Sequence, residues 1–154
     1  MALNIVTGIG PRVGSSFVMQ QCKANGLNVN GTKFLQGLLP KEGNPLGYYD
    51  LFPWDVSTLQ LGIAKVWPKQ LHSISAPVNR MVILQRRDLA EQIKSCEKQI
   101  KREPFEINWT PEEIIQMSKY ALKEWMTLNE VNHKTYYTED LDSCIDEIIQ
   151  FLGE

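Results

Sequence analysis

The feature that most constrains this chain is a glycine-rich turn placed between an apolar run and a helix-forming stretch. Leu3 to Thr7 is an apolar run of strand length, and Ser15 to Ala24 is compatible with a helix. The turn between them reads Gly8-Ile9-Gly10-Pro11-Arg12-Val13-Gly14. Glycines allow backbone N–H groups to point inward, and the following helix presents the positive end of its dipole. This order predicts a phosphate-binding loop; a purely structural turn is the alternative.

The expected loop departs from the Walker A pattern of common nucleotide hydrolases. That pattern needs Lys directly before the Ser or Thr, and here Gly14 stands before Ser15. Hydrolysis of ATP or GTP is therefore disfavoured. The cation lies earlier, at Arg12, from where it can reach over a bound phosphate. The candidate phosphate contacts are Gly10, Pro11, Arg12, Val13, Gly14, Ser15 and Ser16.

Strand-like and helix-like segments alternate along the rest of the chain. This order predicts a mostly parallel sheet covered on both faces, with ligands near the carboxyl ends of the strands. Thr110, followed by Pro111 and Glu113, predicts a capped helix start. The predicted strands are Leu27–Asn30, Ile63–Trp67, Met81–Gln85 and Lys134–Thr138, and the further helices are Arg87–Lys101, Thr110–Asn129 and Leu141–Leu152. A surface loop is expected over Gly31–Pro53, and residues 1–154 are expected to form one domain.

Composition and charge exclude several classes of function. With 16 basic and 18 acidic residues the net charge is -2, so no global positive field favours nucleic acid as a partner. No apolar stretch approaches the ~18 residues of a membrane span, and the start lacks a secretory signal, so a cytoplasmic location is expected. There is no CxxC pair and there are only 2 His residues, so no metal is expected. The cysteines, expected to be reduced thiols, are Cys22, Cys96 and Cys144.

Five segments in the same order resemble motifs of the sulfotransferase family. The first is Pro11-Arg12-Val13-Gly14-Ser15-Ser16, which is similar to that family's phosphosulfate loop. The others are Asn44-Pro45-Leu46-Gly47-Tyr48-Tyr49-Asp50, Ala64-Lys65-Val66-Trp67-Pro68, Met81-Val82-Ile83-Leu84-Gln85-Arg86-Arg87-Asp88, and Tyr137-Thr138-Glu139-Asp140-Leu141 with Phe151-Leu152-Gly153. The resemblance implies a three-layer P-loop NTPase-like α/β fold with a mostly parallel central sheet.

The resemblance also implies a co-substrate, 3′-phosphoadenosine 5′-phosphosulfate, and a division of roles among residues. The loop would hold the 5′-phosphosulfate, and Arg87 with Ser95, eight residues later in the family pattern, would bind the 3′-phosphate. Arg86 is left to solvent or to an ion pair. Lys65 would contact the sulfuryl group, although a surface lysine with a buried stem is an equal alternative. Glu139 and Asp140 are expected to cap the last helix.

Sulfuryl transfer needs a cation at the leaving phosphate and a base at the attacking group. Arg12 fits the first role. Where cytosolic family members place His two residues after the Lys, this chain has Trp67. Asp50 is the leading candidate base, and His72 is the second.

Two other classes of function stay open at the level of sequence. The chain is shorter than typical family members and lacks the segments that usually build the acceptor pocket, so the acceptor, a small molecule or glycan with a hydroxyl or amine, is not specified. One alternative is a nucleotide or nucleoside kinase with a divergent loop, which should carry an acidic Mg²⁺ ligand at a strand end. The other is a non-catalytic nucleotide-binding or docking module.

Overall fold

The computed structural model describes residues 2–33, 46–102 and 107–154. Its centre is a four-stranded, all-parallel sheet in the order β2-β1-β3-β4. The strands are β1 (Leu3–Gly8), β2 (Gly62–Lys65), β3 (Val78–Gln85) and β4 (Asn132–Tyr137). The helices are α1 (Ser15–Ala24), α2 (Leu89–Arg102), α3 (Pro111–Leu128) and α4 (Leu141–Gly153), with short 3-10 helices at Pro53–Thr58, Pro68–Ser73 and Thr138–Asp140.

This architecture confirms the predicted α/β class and the parallel sheet. The helix start at Thr110 is also confirmed, because its hydroxyl accepts from the Glu113 N–H while the Glu113 carboxylate accepts from the Thr110 N–H, each at 3.2 Å. None of the helices among the described residues is both long enough and apolar enough to cross a membrane.

The predicted strand at Leu27–Asn30 is wrong in extent. Only Val29 forms a bridge, with Ile63, and two backbone hydrogen bonds join Asn28 and Asn30 to the same residue. The physical reason is composition, since two of the four residues are asparagines, which are disfavoured in strands. In the predicted loop, the described residues 31–33 and 46–52 contain a single antiparallel bridge between Thr32 and Asp50. Residues 34–45, with Asn44 and Pro45, lie outside the described residues.

Two apolar clusters, one on each face of the sheet, hold the helices. Successive side chains of β1 point to opposite faces of the sheet. Val6 therefore packs in the cluster formed with α1 and α4, and Leu3 and Ile5 pack in the cluster formed with α3. Asn4, buried on the α4 side, donates its amide to the Leu152 carbonyl at 2.8 Å. Helices therefore cover both faces of the sheet.

The connections create a crevice at the carboxyl ends of β1 and β3, which are neighbours in the sheet. The chain leaving β1 enters α1 on one face. The chain leaving β3 passes through α2 to α3 on the other face. Because the two connections diverge, the sheet leaves an opening between them, which is where open parallel sheets bind ligands.

Candidate functional site

The loop after β1 has a backbone that alternates between left-handed and ordinary conformations. Gly10, Arg12 and Gly14 have φ angles of 86°, 64° and 91°. Pro11 has its φ fixed near -65° by its ring, and Val13 is not among the residues with positive φ. Alternation of this kind is typical of anion-binding nests, in which successive N–H groups turn toward one concave side, and Pro11 has no N–H to contribute. The loop then enters α1, whose N-cap Gly14 provides no side-chain cap.

A buried glutamine, which the sequence interpretation missed, holds the first half of this loop. The Gln92 side chain, only 2% exposed, donates to the carbonyls of Ile9 and Pro11, each at 2.9 Å. A Cβ added to Gly10 would stand 2.7 Å from the Ile115 side chain and 2.8 Å from the Gln92 amide. The sequence did carry a signal for this residue. Gln92 stands four positions before the buried Cys96, and this spacing puts both residues on the same face of α2.

The second half of the loop is fixed from the start of α4. Thr138 donates its hydroxyl to the Val13 carbonyl at 2.6 Å. A Cβ on Gly14 would come within 2.6 Å of the Leu141 side chain. The threonine that interrupts the resemblance after Tyr137 is thus a contact that positions the loop.

A cavity of about 470 Å³ opens on the loop and α1. The structure brings together on its wall most of the predicted site residues, although Gly10 and Pro11 shape the turn without lining the cavity. Residues not predicted for the site, among them Arg86, Trp67 and Gln99, also line it. The predicted residues on the wall are Arg12, Val13, Gly14, Ser15, Ser16, Asp50, Lys65 and Ser95.

Lys65, at the end of β2, is a buried ammonium held by three oxygen partners. Its Nζ lies 2.5 Å from Asp50 Oδ1, 2.7 Å from the Tyr48 carbonyl and 3.2 Å from Ser16 Oγ. Burial lowers the pKa of Lys65, and the neighbouring Asp50 carboxylate opposes that shift. The alternative of a surface lysine is wrong, because the residue is only 8% exposed. The strand next to β1 thus brings a cation to Ser16 at the start of α1.

Arg12 and Ser95 were each proposed for the site, and the structure joins them directly. The Arg12 Nε donates to Ser95 Oγ at 3.0 Å across 83 residues of sequence. Arg12 is otherwise exposed, so its guanidinium retains donors toward the cavity. This hydrogen bond links the loop after β1 to the middle of α2.

The two consecutive arginines after β3 have different surroundings. Arg87 lies outside the cavity wall, where it pairs with Asp140 at 2.8 Å and stacks over the Tyr137 ring at 4.3 Å. Arg86 is half-buried and lines the cavity. Its Nε is buried and has no hydrogen-bond partner among the described residues. The sequence spacing indicated Arg87 as the phosphate contact, whereas Arg86 is the one of the two arginines that lines the cavity.

Asp140 occupies the N-cap position of α4, but the predicted capping of this helix by the side chains of Glu139 and Asp140 is wrong. The α4 N-terminus has no side-chain cap. Glu139 instead accepts from the backbone N–H groups of Arg87 and Asp88, each at 2.9 Å, and these bonds lower the pKa of Glu139. The reason is tertiary: the end of β4 lies beside the end of β3, so the carboxylate reaches the start of α2.

His72 lies apart from the cavity wall, exposed on the 3-10 helix Pro68–Ser73. Its role as the second candidate base has no geometric support. The three cysteines are free thiols, with Cys22 and Cys96 buried and Cys144 half-buried. Within residues 2–33, 46–102 and 107–154, no group of three or more His, Cys, Asp or Glu side chains is placed to hold a metal ion.

Comparisons with known proteins give no relative for this site. No family model matches the chain, and neither the curated proteins nor the solved structures contain a match. The functional interpretation therefore depends on the geometry of the cavity and on the motifs quoted above.

Proposed function

We propose that the cavity binds 3′-phosphoadenosine 5′-phosphosulfate in a P-loop-like site and that the protein transfers the sulfuryl group to a hydroxyl or amine. The observation that carries this proposal is the nest of alternating backbone conformations before α1, which faces a cavity bordered by Arg12, Lys65 and Arg86. Three cations and one carboxylate, Asp50, which is paired with Lys65, leave the cavity wall net positive, and such a wall suits a ligand with several anionic groups. The cavity volume also falls within the range of small-ligand sites.

The 5′-phosphosulfate belongs at the loop in this proposal. The N–H groups of the nest and the hydroxyls of Ser15 and Ser16 donate to it, while Arg12 approaches from the rim. Lys65 already contacts Ser16, so its ammonium is within reach of a group bound there. These donors offset the charge that develops on the leaving phosphate.

Asp50 is the proposed base. The acceptor oxygen or nitrogen attacks sulfur, the bond between sulfur and the 5′-phosphate oxygen breaks, and the acceptor proton passes to the Asp50 carboxylate. The products are the sulfated acceptor and 3′-phosphoadenosine 5′-phosphate. The Lys65 ammonium, paired with Asp50, holds this carboxylate at the cavity wall, where an acceptor can reach it.

The 3′-phosphate is assigned to Arg86 together with Ser95, in place of Arg87. Arg86 has a buried Nε without a partner among the described residues, and Arg87 is already neutralised by Asp140. An arginine that lines the cavity can form charge-assisted bonds to a phosphate without first breaking an ion pair.

Calorimetry with 3′-phosphoadenosine 5′-phosphate, with ATP as the comparison ligand, tests the proposal. The bisphosphate should bind without Mg²⁺ and at least about tenfold more tightly than ATP, a difference of about 1.4 kcal/mol. Tighter binding of ATP with Mg²⁺ would favour a kinase instead. If neither nucleotide binds, the result would favour the other alternative, a non-catalytic docking module.

The adjacent arginines form a matched pair for locating the 3′-phosphate. Arg86→Ala should weaken binding of the bisphosphate by about tenfold or more, because a charge-assisted contact is lost, and should spare adenosine 5′-phosphate. Arg87→Ala should leave both affinities almost unchanged. The reverse pattern would restore the assignment to Arg87, and equal weakening of both nucleotides by Arg86→Ala would remove Arg86 from the 3′-phosphate.

A further inference from the structure

One buried side chain of α2 uses both of its amide hydrogens on the backbone of the glycine-rich loop at residues 8–14. Gln92 is 2% exposed and is not among the residues that line the cavity. Its Nε2 donates to the carbonyls of Ile9 and Pro11, each at 2.9 Å. A side-chain amide has two N–H donors, and both are taken by these carbonyls. Any influence of Gln92 on a ligand in the cavity must therefore pass through the loop.

The geometry of the peptide bond converts these two contacts into an orientation of N–H groups. In a planar trans peptide the C=O and the N–H point in opposite directions. The Ile9 carbonyl shares its peptide with the Gly10 N–H. The Pro11 carbonyl shares its peptide with the Arg12 N–H. Because both carbonyls point to Gln92, both N–H groups point away from it, and none of the described residues accepts a hydrogen bond from either of them.

The backbone of Arg12 needs such support, because it lies in the left-handed region with a φ of 64°. For a residue other than glycine this conformation is strained, and it persists where surrounding contacts hold it. Two contacts from α2 do so. Gln92 fixes the carbonyl that precedes Arg12, and Ser95 accepts from the Arg12 guanidinium at 3.0 Å. Arg12 also lines the cavity, so its backbone is part of the cavity wall.

The burial of an amide at this position is a second indication of its role. Burying a polar side chain is unfavourable unless its hydrogen-bonding groups are satisfied, and an apolar side chain fills the same space without that cost. What Gln92 supplies, and an apolar side chain of the same length does not, is a pair of donors for the loop carbonyls.

We propose that Gln92 is a positioning residue for the anion site, which holds the carbonyls of Ile9 and Pro11 behind the loop and thereby turns the Arg12 N–H toward a bound anion. Without these two bonds the peptides are free to rotate, and a carbonyl that faces the cavity repels an anion. The role is one of preorganisation, since the N–H is oriented before the ligand arrives. This inference rests on the anion binding of the proposed function and does not require sulfuryl transfer.

Calorimetric titration of the full chain with inorganic pyrophosphate tests the proposal. Gln92→Met keeps the length of the side chain and removes both donors, so it should weaken pyrophosphate by about tenfold. Gln116→Met is the matched control, because it makes the same exchange at an exposed position of α3, and it should leave the affinity unchanged. Circular dichroism establishes that each variant is folded under the conditions of the titration.

Gln92→Glu provides a readout that a loss of packing does not reproduce. When ionised, its carboxylate would face two carbonyls, so pyrophosphate should bind at least about tenfold more weakly than to wild type. Burial raises the pKa of such a carboxyl, and once protonated its O–H can donate to one carbonyl. The affinity relative to wild type should therefore recover as pH falls through that raised pKa.

The same ratio for Gln92→Met should not change with pH, because methionine does not titrate. It corrects for titration of the ligand and of nearby carboxylates such as Glu97 and Glu112, which act electrostatically on the neighbouring Cys96.

Each outcome separates the positioning role from the proposed function. Unchanged binding in Gln92→Met, a ratio for Gln92→Glu that is independent of pH, or unfolding of both variants would overturn the role of Gln92. If 3′-phosphoadenosine 5′-phosphate binds equally well to wild type and to both variants, the proposed function stands and the positioning role fails. If pyrophosphate shows the expected pattern and the bisphosphate binds no more tightly than ATP, the positioning role stands and the proposed co-substrate fails. If wild type binds neither ligand, both proposals fail.

Discussion

Helices α1 and α2 both begin at the carboxyl ends of neighbouring parallel strands. The backbone N–H groups at their starts differ, however, in the hydrogen-bond acceptors that the protein provides. At α2, Glu139 accepts from two backbone N–H groups before the helix, and Asp88 accepts from the Glu91 N–H at 3.1 Å. At α1 the N-cap is Gly14, which has no side chain to accept a hydrogen bond. We call these the capped start (α2) and the open start (α1).

The difference supports the proposed position of the ligand's anionic group at α1. Arginines beside a helix start are unfavourable unless an anion is near, and Arg86 and Arg87 stand just before α2. The protein supplies that anion to the capped start from its own chain, through Glu139 and Asp140. The open start retains its N–H groups for a ligand, and the cavity lies in front of it.

The largest expected effect comes from removing the cation of the open start. Arg12→Ala should lower turnover by a factor on the order of 10² or more, because the charge on the leaving phosphate loses its partner from the loop. Arg12→Lys keeps the charge without the planar fork and should recover part of that loss. The measurement is steady-state transfer to an acceptor identified by screening.

Lys98→Ala is the control for net charge, since Lys98 is exposed on α2 and does not line the cavity. Full activity in Arg12→Ala would exclude Arg12 from the chemistry. If the protein binds the nucleotide but sulfates no acceptor in the screen, the proposed binding site stands and the proposed sulfuryl transfer fails.

The second effect concerns the backbone of the open start. Gly10→Ala should destabilise the fold by about 2–4 kcal/mol, because its φ is 86° and its new methyl would meet Ile115 and Gln92. Gly26→Ala is the matched control, with a φ of 80° and nothing within 4 Å of the added Cβ. That variant should lose only about 1–2 kcal/mol of conformational strain. Urea unfolding measures both free energies, and equal losses would mean that packing against α2 and α3 does not fix the loop.

The smallest effect tests the capped start and depends on pH. The pKa of Glu139 lies below its ordinary value, so the stability that its carboxylate contributes is present above about pH 4.5 and is lost as pH falls through the folded pKa. Glu139→Gln should therefore cost roughly 0.5–1 kcal/mol at pH 7, a low value because the side chain is exposed to water. The two proteins should converge in stability below the folded pKa.

Urea unfolding across pH checks this convergence. Glu124→Gln on α3 changes the same charge at an exposed position and should show no such trend. A Glu139→Gln deficit that persists unchanged at acid pH would mean that the carboxylate charge contributes nothing at the start of α2.

Local sequence patterns determined much of this fold. Apolar runs gave β1, β2 and β3, helical spacing gave α2 and α4, and the boundaries of α1 agree with the prediction at both ends. The capping box at Thr110 and the glycine turn at residues 8–14 are local in the same sense, because each depends on residues within a few positions. Local interactions along the backbone are the ones that a sequence encodes directly.

Tertiary structure decided which side chains meet. Spacing favoured Arg87 over Arg86, but it could not include the ion pair with Asp140, 53 residues beyond Arg87. Gln92 beneath the loop, Lys65 against Ser16 and Glu139 at α2 are likewise contacts between distant segments. The order of the strands places these segments close together at the carboxyl end of the sheet. No local sequence pattern encodes that order. The sequence by itself determined a glycine-rich turn between a strand and a helix, and the packed sheet decided which cations and which carboxylate surround it.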